Sequence, residues 1–250
     1  MHQARKRFSF PALKQTLTQR MATITMQPPV VSSDRLLALA EQKIQRGLLN
    51  EARAILLQMV NAMPPGWRPA YKEADGRVKI AFWNQNEYQH YLPYFLERGI
   101  GREIVRMYPS YSRAWYLLAH ISLEQKDLDS ALLYINQALK LEPDHPEILC
   151  KKAQIRQYGG CAKEAYELYV NAIYSRAWNS PEIQARAMRG AGIVLEELGN
   201  LEAASVMFKK SLELEPGNQL AMNELSHIYL HRMELARHNQ PSRKKWWKFW

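Results

Sequence analysis

Residues 112–145 read SRAWYLLAHISLEQKDLDSALLYINQALKLEPDH, and six of them, Ala119, Lys126, Ala131, Ile135, Ala138 and Pro143, form a spaced set that recurs along the chain. The other copies are Ala40, Gly47, Ala52, Leu56, Met59, Pro64; Ala153, Gly160, Ala165, Tyr169, Ala172; and Gly192, Gly199, Ala204, Phe208, Ser211, Pro216. In every copy a small residue precedes the central alanine by 12 positions and a large apolar residue follows it by 4. Self-similarity at a period of this length is the mark of stacked helical hairpins.

The unit 185–218 shows why. Gly192 and Leu195, then Ala203, Ala204, Met207, Phe208 and Leu212, fall at three- and four-residue steps, the period of a helix with one apolar face. Gly199 stands where a left-handed residue closes the first helix without a Cβ clash. Pro216 and Gly217 end the second helix, because proline cannot donate to it and restricts the residue before. Gly192 and Ala204 allow the two helices to approach closely, and Phe208 fills the space toward the next hairpin. Two helices of this length cannot bury their apolar faces alone, so neighbouring hairpins complete the core.

This pattern resembles the tetratricopeptide repeat. The resemblance is specific in 112–145, through Trp115, Leu118, Ala119, Ala131, Ala138 and Leu141-Glu142-Pro143. It is equally specific in 185–218, through Gly192, Gly199-Asn200-Leu201, Ala204, Phe208 and Pro216. It is good in 146–179, although Ala177 stands where the closing proline belongs and about five extra residues around 178–181 precede the next unit. Residues 33–66 are a fair first match. The matched units cover a little over half of the chain. The resemblance implies an all-α fold, a right-handed superhelical solenoid of helix-turn-helix repeats with an irregular insert and a C-terminal capping helix. It also implies a noncatalytic scaffold or adaptor for protein–protein interaction.

Between the central alanines Ala52 and Ala131 the gap is too long for two clean repeats, so 67–111 is an irregular aromatic-rich insert or a degenerate repeat. Pro64-Pro65-Gly66 and Asp75-Gly76 are turn signals. Residues 77–83 alternate and predict a short strand. Asn84 with Glu87 predicts a capping box opening a helix toward Leu92. Pro93, Gly99 and Gly101 then break the pattern, and 102–108 is expected to be a second helix. Three roles are open for the segment: a degenerate helical pair packing the first repeat against the rest, a partner-binding insert, or a small independent unit. Residues 219–239 read as a helix with an apolar stripe of Leu220, Leu225, Ile228, Tyr229 and Met233, the cap that a solenoid's open end requires.

The formal charge of the chain is +10. Arg5, Lys6, Arg7, Lys14 and Arg20 near the start and Arg243, Lys244, Lys245 and Lys248 near the end account for all but one of it. The basic balance is therefore a property of the ends, and the body does not read as nucleic-acid-binding. Residues 1–32 read as a flexible basic arm, with an organellar transit peptide or a translation start at Met21 as alternatives. No apolar run is long enough for a transmembrane helix, and the first residues lack the apolar stretch of a secretory signal. Cys150 and Cys161 lie about 16 Å apart on helical geometry, too far for a disulfide, and read as free thiols in a reducing compartment. The expected location is cytoplasmic, with peripheral attachment at the inner membrane face as an addition.

The tail 240–250 carries Lys244, Lys245, Trp246, Trp247, Lys248, Phe249 and Trp250. Tryptophans and cations together suit an anionic bilayer interface, docking against protein, or stacking on nucleic-acid bases. A membrane-associated adaptor tethered by this tail is the alternative to a purely soluble scaffold.

The motifs of phosphate loops, zinc proteases, Cys-x-x-Cys sites and serine hydrolases are absent, so no cofactor and no catalytic residue is assigned. An enzyme site within 67–111, built on Tyr88 or His90, is the remaining catalytic reading. His227 and His231 lie four apart on one helix face, a two-ligand metal edge without an obvious third ligand, and are read as a solvated face with no metal.

By resemblance, the inner faces of the first helices line a concave groove that takes an extended peptide or a partner helix. Spacing puts Arg113, Tyr116, Leu117, His120 and Glu124 on that face of one unit. The next presents Glu147, Cys150, Lys151, Gln154 and Tyr158, and the last Arg186, Arg189, Ile193 and Glu197. Arg113, Lys151, Arg186 and Arg189 would make a positive strip suited to an acidic peptide or a carboxylate terminus. The two-carboxylate clamp of the chaperone-binding relatives does not fit, since its places hold Leu37 and Glu41, Tyr116 and His120, or Cys150 and Gln154.

Overall fold

The computed structural model describes residues 33–99, 104–108 and 110–238. The basic arm 1–32 and the tail 240–250 lie outside the described residues, and so do the expectations attached to them. The elements run α1 (Ser33–Gln45), α2 (Leu49–Asn61), β1 (Ala70–Lys72), β2 (Val78–Ile80), α3 (Gln85–Leu96), β3 (Ile104–Arg106), α4 (Tyr111–Glu124), α5 (Leu128–Leu141), α6 (Pro146–Tyr158), α7 (Ala162–Tyr174), α8 (Pro181–Glu197), α9 (Leu201–Leu214) and α10 (Gln219–His238).

Helix starts are set by side-chain caps. Ser110, Asp127, Ser180 and Asn200 each accept a hydrogen bond from the backbone N–H three residues on. Within each hairpin the same turn position is left-handed: Gly47, Gly160 and Gly199 at φ 74°, 77° and 77°, and Lys126 at φ 61°. Lysine thus carries in one hairpin the conformation that glycine adopts freely in the other three.

The hairpins α1–α2, α4–α5, α6–α7 and α8–α9 stack in order, and α10 covers the last. Each second helix packs on the first helix of the next hairpin, while first helices also touch one another. The row whose members touch is the inside of the curve, so α1, α4, α6, α8 and α10 form the concave row. The all-α solenoid follows from what is buried. Ala52, Ala131, Ala165 and Ala204 are completely enclosed, as are Ala40, Ala119 and Ala153 twelve residues earlier. In the last hairpin Gly192 replaces that residue: a Cβ there would lie 2.8 Å from Phe208 Cζ. Phe208 therefore packs across its own hairpin as well as toward Ala221 and Ile228 of α10.

The segment between α2 and α4 is not a helical pair. β1 pairs antiparallel with β2, and β2 pairs parallel with β3 with Val78 opposite Ile104. A parallel pair needs a crossover, and α3 supplies it. The helix expected at 102–108 is accordingly a strand at Ile104–Arg106, where β-branched Ile104 and Val105 suit a ladder. The helix opened by Asn84 runs on through Pro93 to Leu96. Asn84 Oδ1 accepts from the Glu87 N–H at 2.8 Å, and Glu87 reaches back to the Trp83 N–H at 2.7 Å.

This α/β insert is fastened across the turns that follow α5 and α7. Trp83 is buried beside Ala119, Ile135 and Ile148. Its indole Nε1–H donates to Glu142 Oε1 (3.1 Å) and Ser112 Oγ (3.2 Å), and its ring stacks on His145 at 3.8 Å. Arg176, just past α7, donates from Nη1 to Glu87 (3.0 Å) and from Nη2 to Glu142 (3.0 Å) and Asp144 (2.9 Å). Trp178 packs on Tyr91, Tyr94 and Phe95 of α3. The irregular turn that lacks its proline is thus the one that grips the insert. Burial alone would raise the Glu87 carboxyl; hydrogen bonds and charge from His145, the Trp83 N–H and Arg176 outweigh it and hold the group below its ordinary value.

Candidate partner-binding groove

The concave row brings side chains of four helices around a cavity of about 250 Å³. Tyr116 comes from α4, Lys151 and Gln154 from α6, Arg186, Arg189 and Ile193 from α8, and Leu220 from α10. Glu147 and Cys150 also line it. Of the groove residues singled out in sequence, Tyr116, Lys151, Gln154, Arg186 and Arg189 therefore converge. Arg113 is not part of the lining, and His120 touches it only through Lys151.

The charges are arranged differently from the expected positive strip. Arg113 pairs with Glu41 at 2.7 Å, Arg186 with Glu147 at 3.3 Å, and Arg189 with Glu215. Three of the four cations are thereby neutralised by carboxylates on the adjoining elements. Lys151 differs. Its ammonium donates to Gln154 Oε1 at 2.9 Å, lies 3.4 Å from His120 Nδ1 and sits 5.7 Å from the Tyr116 ring centroid. Among the described residues no carboxylate pairs with it. Burial, then the neighbouring Arg186 charge, hold its pKa below the ordinary 10.5.

Other expected groove residues lie elsewhere. Leu117 is in the core with Leu56 and Tyr111, because its side of α4 faces the first hairpin. Glu124 and Tyr158 border a separate hollow with Leu128. Glu197 accepts a hydrogen bond from Gln157. In the insert, Tyr88 packs edge-on against Phe82, and His90 Nδ1 lies 2.8 Å from the Asn86 carbonyl. His227 does not pair with His231; it faces Glu196 across the α8–α10 contact, with Glu224 beside it.

Sequence reading missed Tyr169 and Gly190, which also line the cavity. Tyr169 occupies the large apolar position of its repeat and reads as core. It reaches the groove because Gly190 offers no side chain: a Cβ there would sit 2.4 Å from Tyr169 Cε1. A glycine inside a helix two residues before the repeat's own small position was the available signal.

Cys150 is buried at the cavity floor, and burial pushes its thiol up to about 12. The thiolate is the reactive form. In the folded protein a maleimide reagent at neutral pH is expected to label Cys161 and leave Cys150 intact until denaturant is added, as peptide mass mapping would show. Equal labelling of both would mean that the hairpins open readily.

One tetratricopeptide-repeat family model matches residues 102–155 and a second matches 186–218. Among solved structures the chain is similar to that of the functional characterization of Pseudomonas aeruginosa pilF. The identity is 16% and the TM-score 0.58, with 82% of this chain and 70% of that one covered. It is similar in the same degree to PilW, described as a widely conserved type IV pilus biogenesis factor. There the identity is 17% and the TM-score 0.58, with 82% and 71% covered. At these identities the likeness is one of fold. No curated protein matches the sequence.

Proposed function

Because the chain is a tetratricopeptide-repeat protein, we propose that it is a noncatalytic protein-interaction scaffold whose concave groove takes an extended peptide through a carboxylate seated at Lys151. The observation that carries this reading is Lys151 itself, a largely desolvated cation without an acidic partner among the described residues, placed where three inner helices meet. A buried charge is costly until it is paired, so an incoming carboxylate gains what this site lacks. Gln154 holds the ammonium in place, and half-exposed Arg186 offers a second donor beside it. Tyr169 and Leu220 supply apolar walls for the peptide's neighbouring side chains.

The test is fluorescence anisotropy with a labelled extended peptide ending in Glu-Glu-Asp, compared with its Lys-Lys-Lys counterpart. The acidic peptide is expected to bind the intact chain, and Lys151→Gln to weaken it about 10- to 100-fold, the worth of a hydrogen bond to a charged group. The complex favours protonated lysine, so affinity should fall as the pH rises through the depressed pKa of Lys151. Lys151→Gln should abolish that dependence. Equal binding of both peptides, or an unchanged affinity in Lys151→Gln, would sink the proposal.

A further inference from the structure

The contact between the last hairpin and the capping helix holds a cluster that the groove does not use. Glu196 sits in the last turn of α8, and Glu224 and His227 lie three apart on α10. That spacing puts both on one face of a helix, the face turned toward α8. One ligand atom of each residue, two carboxylate oxygens and an imidazole nitrogen, lies within 4.8 Å of the others. His227 Nδ1 is 4.0 Å from Glu196 Oε1. Among the described residues neither carboxylate is paired with a lysine or arginine, so two acids lie side by side with the imidazole next to them.

We propose that Glu196, Glu224 and His227 form a binding site for a divalent transition ion of the Zn²⁺ class, which ties the capping helix to the last repeat. A doubly charged ion would offset both carboxylates, where the present arrangement leaves like charges adjacent. The donor set decides the class. Mixed imidazole and carboxylate donors suit zinc and its neighbours, whereas calcium and magnesium favour sites made of oxygen alone. Zinc draws its ligand atoms to about 2.0–2.2 Å. The three atoms must therefore close up on the ion, and the His227 side chain, 75% exposed, is free to turn inward. Water completes the coordination. His231, the partner suggested by sequence spacing, is not a member of the cluster. Glu196 comes from a different helix, which is why spacing along the chain did not reveal the set.

The experiment is calorimetric titration of Zn²⁺ into the full chain with its thiols kept reduced, repeated on Glu196→Gln, Glu224→Gln, His227→Gln and His231→Gln. One ion per chain is expected to bind saturably. Affinity should fall about tenfold or more in each of the first three variants, since outer-shell changes alone reach that size. It should stay within about twofold in His231→Gln, which alters no ligand. Zn²⁺ should raise the thermal midpoint of the intact protein and leave that of His227→Gln unmoved; the His227 side chain is 75% exposed, so that variant folds. No saturable binding would overturn the proposal. So would binding that survives all three ligand changes, or binding lost in His231→Gln while Glu196→Gln retains it.

Discussion

Arg176→Ala is expected to lower stability by about 3–5 kcal/mol, the cost of leaving buried charge without its partner. Arg176 is 10% exposed and holds Glu87 and Glu142, 15% and 6% exposed, together with the more open Asp144. Removing the guanidinium leaves three carboxylates around Trp83 and His145 with no fixed cation. The same side chain joins the insert to the turns after α5 and α7, so its loss should also release 67–110. Urea unfolding reads the first effect and limited proteolysis within the insert reads the second. Arg176→Lys keeps the charge but not the fork that reaches three acids, and should fall between the two. A loss below about 1 kcal/mol, the range of an exposed pair, with the insert still protected, would refute the lock.

The lock also sets an acid limit. The carboxyls of Glu87 and Asp144 are held below their ordinary values of 4.5 and 3.8. A depressed carboxyl contributes stability that is complete above its unfolded value and is lost as pH falls through its folded one. The contribution of the lock should therefore be complete above the ordinary carboxylate range and decline as the pH falls below 4.5. Arg176→Ala should flatten that decline, because the arginine is one of the charges that depress both groups.

Phe208→Ala is expected to cost about 3–5 kcal/mol, as a large enclosed side chain leaves a cavity that a tight hairpin cannot close. Phe208 is fully buried among Leu195, Ala204, Ala221 and Ile228, so the loss should loosen the capping helix with the hairpin. Its depth depends on Gly192. An alanine Cβ there would lie 2.8, 2.9 and 3.0 Å from three ring atoms, and overpacking of this kind costs about 1–3 kcal/mol. Gly192→Ala combined with Phe208→Leu should then cost less than the two changes added, because the smaller side chain relieves the clash. Strict additivity in thermal unfolding would show that glycine and ring do not compete for one space.

The solenoid was legible because its physics is local. Alanine at 52, 131, 165 and 204, with a small residue 12 before and a large one 4 after, specifies where two helices touch whatever lies further away. The turn chemistry is local in the same sense, even at Lys126, which takes the left-handed turn without being glycine. The insert was legible only in its middle, and the strand at Ala70–Lys72 went unread. Residues 77–83 and the Asn84 cap carry their own signals, whereas the strand at Ile104–Arg106 exists because Val78–Ile80 is there to pair with it. The groove shows a similar division. Helical spacing brought out Tyr116, Lys151, Gln154, Arg186 and Arg189, but which cations are neutralised depends on Glu41, Glu147 and Glu215 reaching across from other helices.

By itself, then, the sequence determined the repeat, its helices and the face each helix buries, since neighbours three and four residues apart decide those. Only the tertiary structure decided that Arg176 and Trp178 hold the insert, that Lys151 stands without an acid, and that Glu196 meets Glu224 and His227. Each of these joins residues far apart in the chain, and charges act through space with no period along the backbone to announce them.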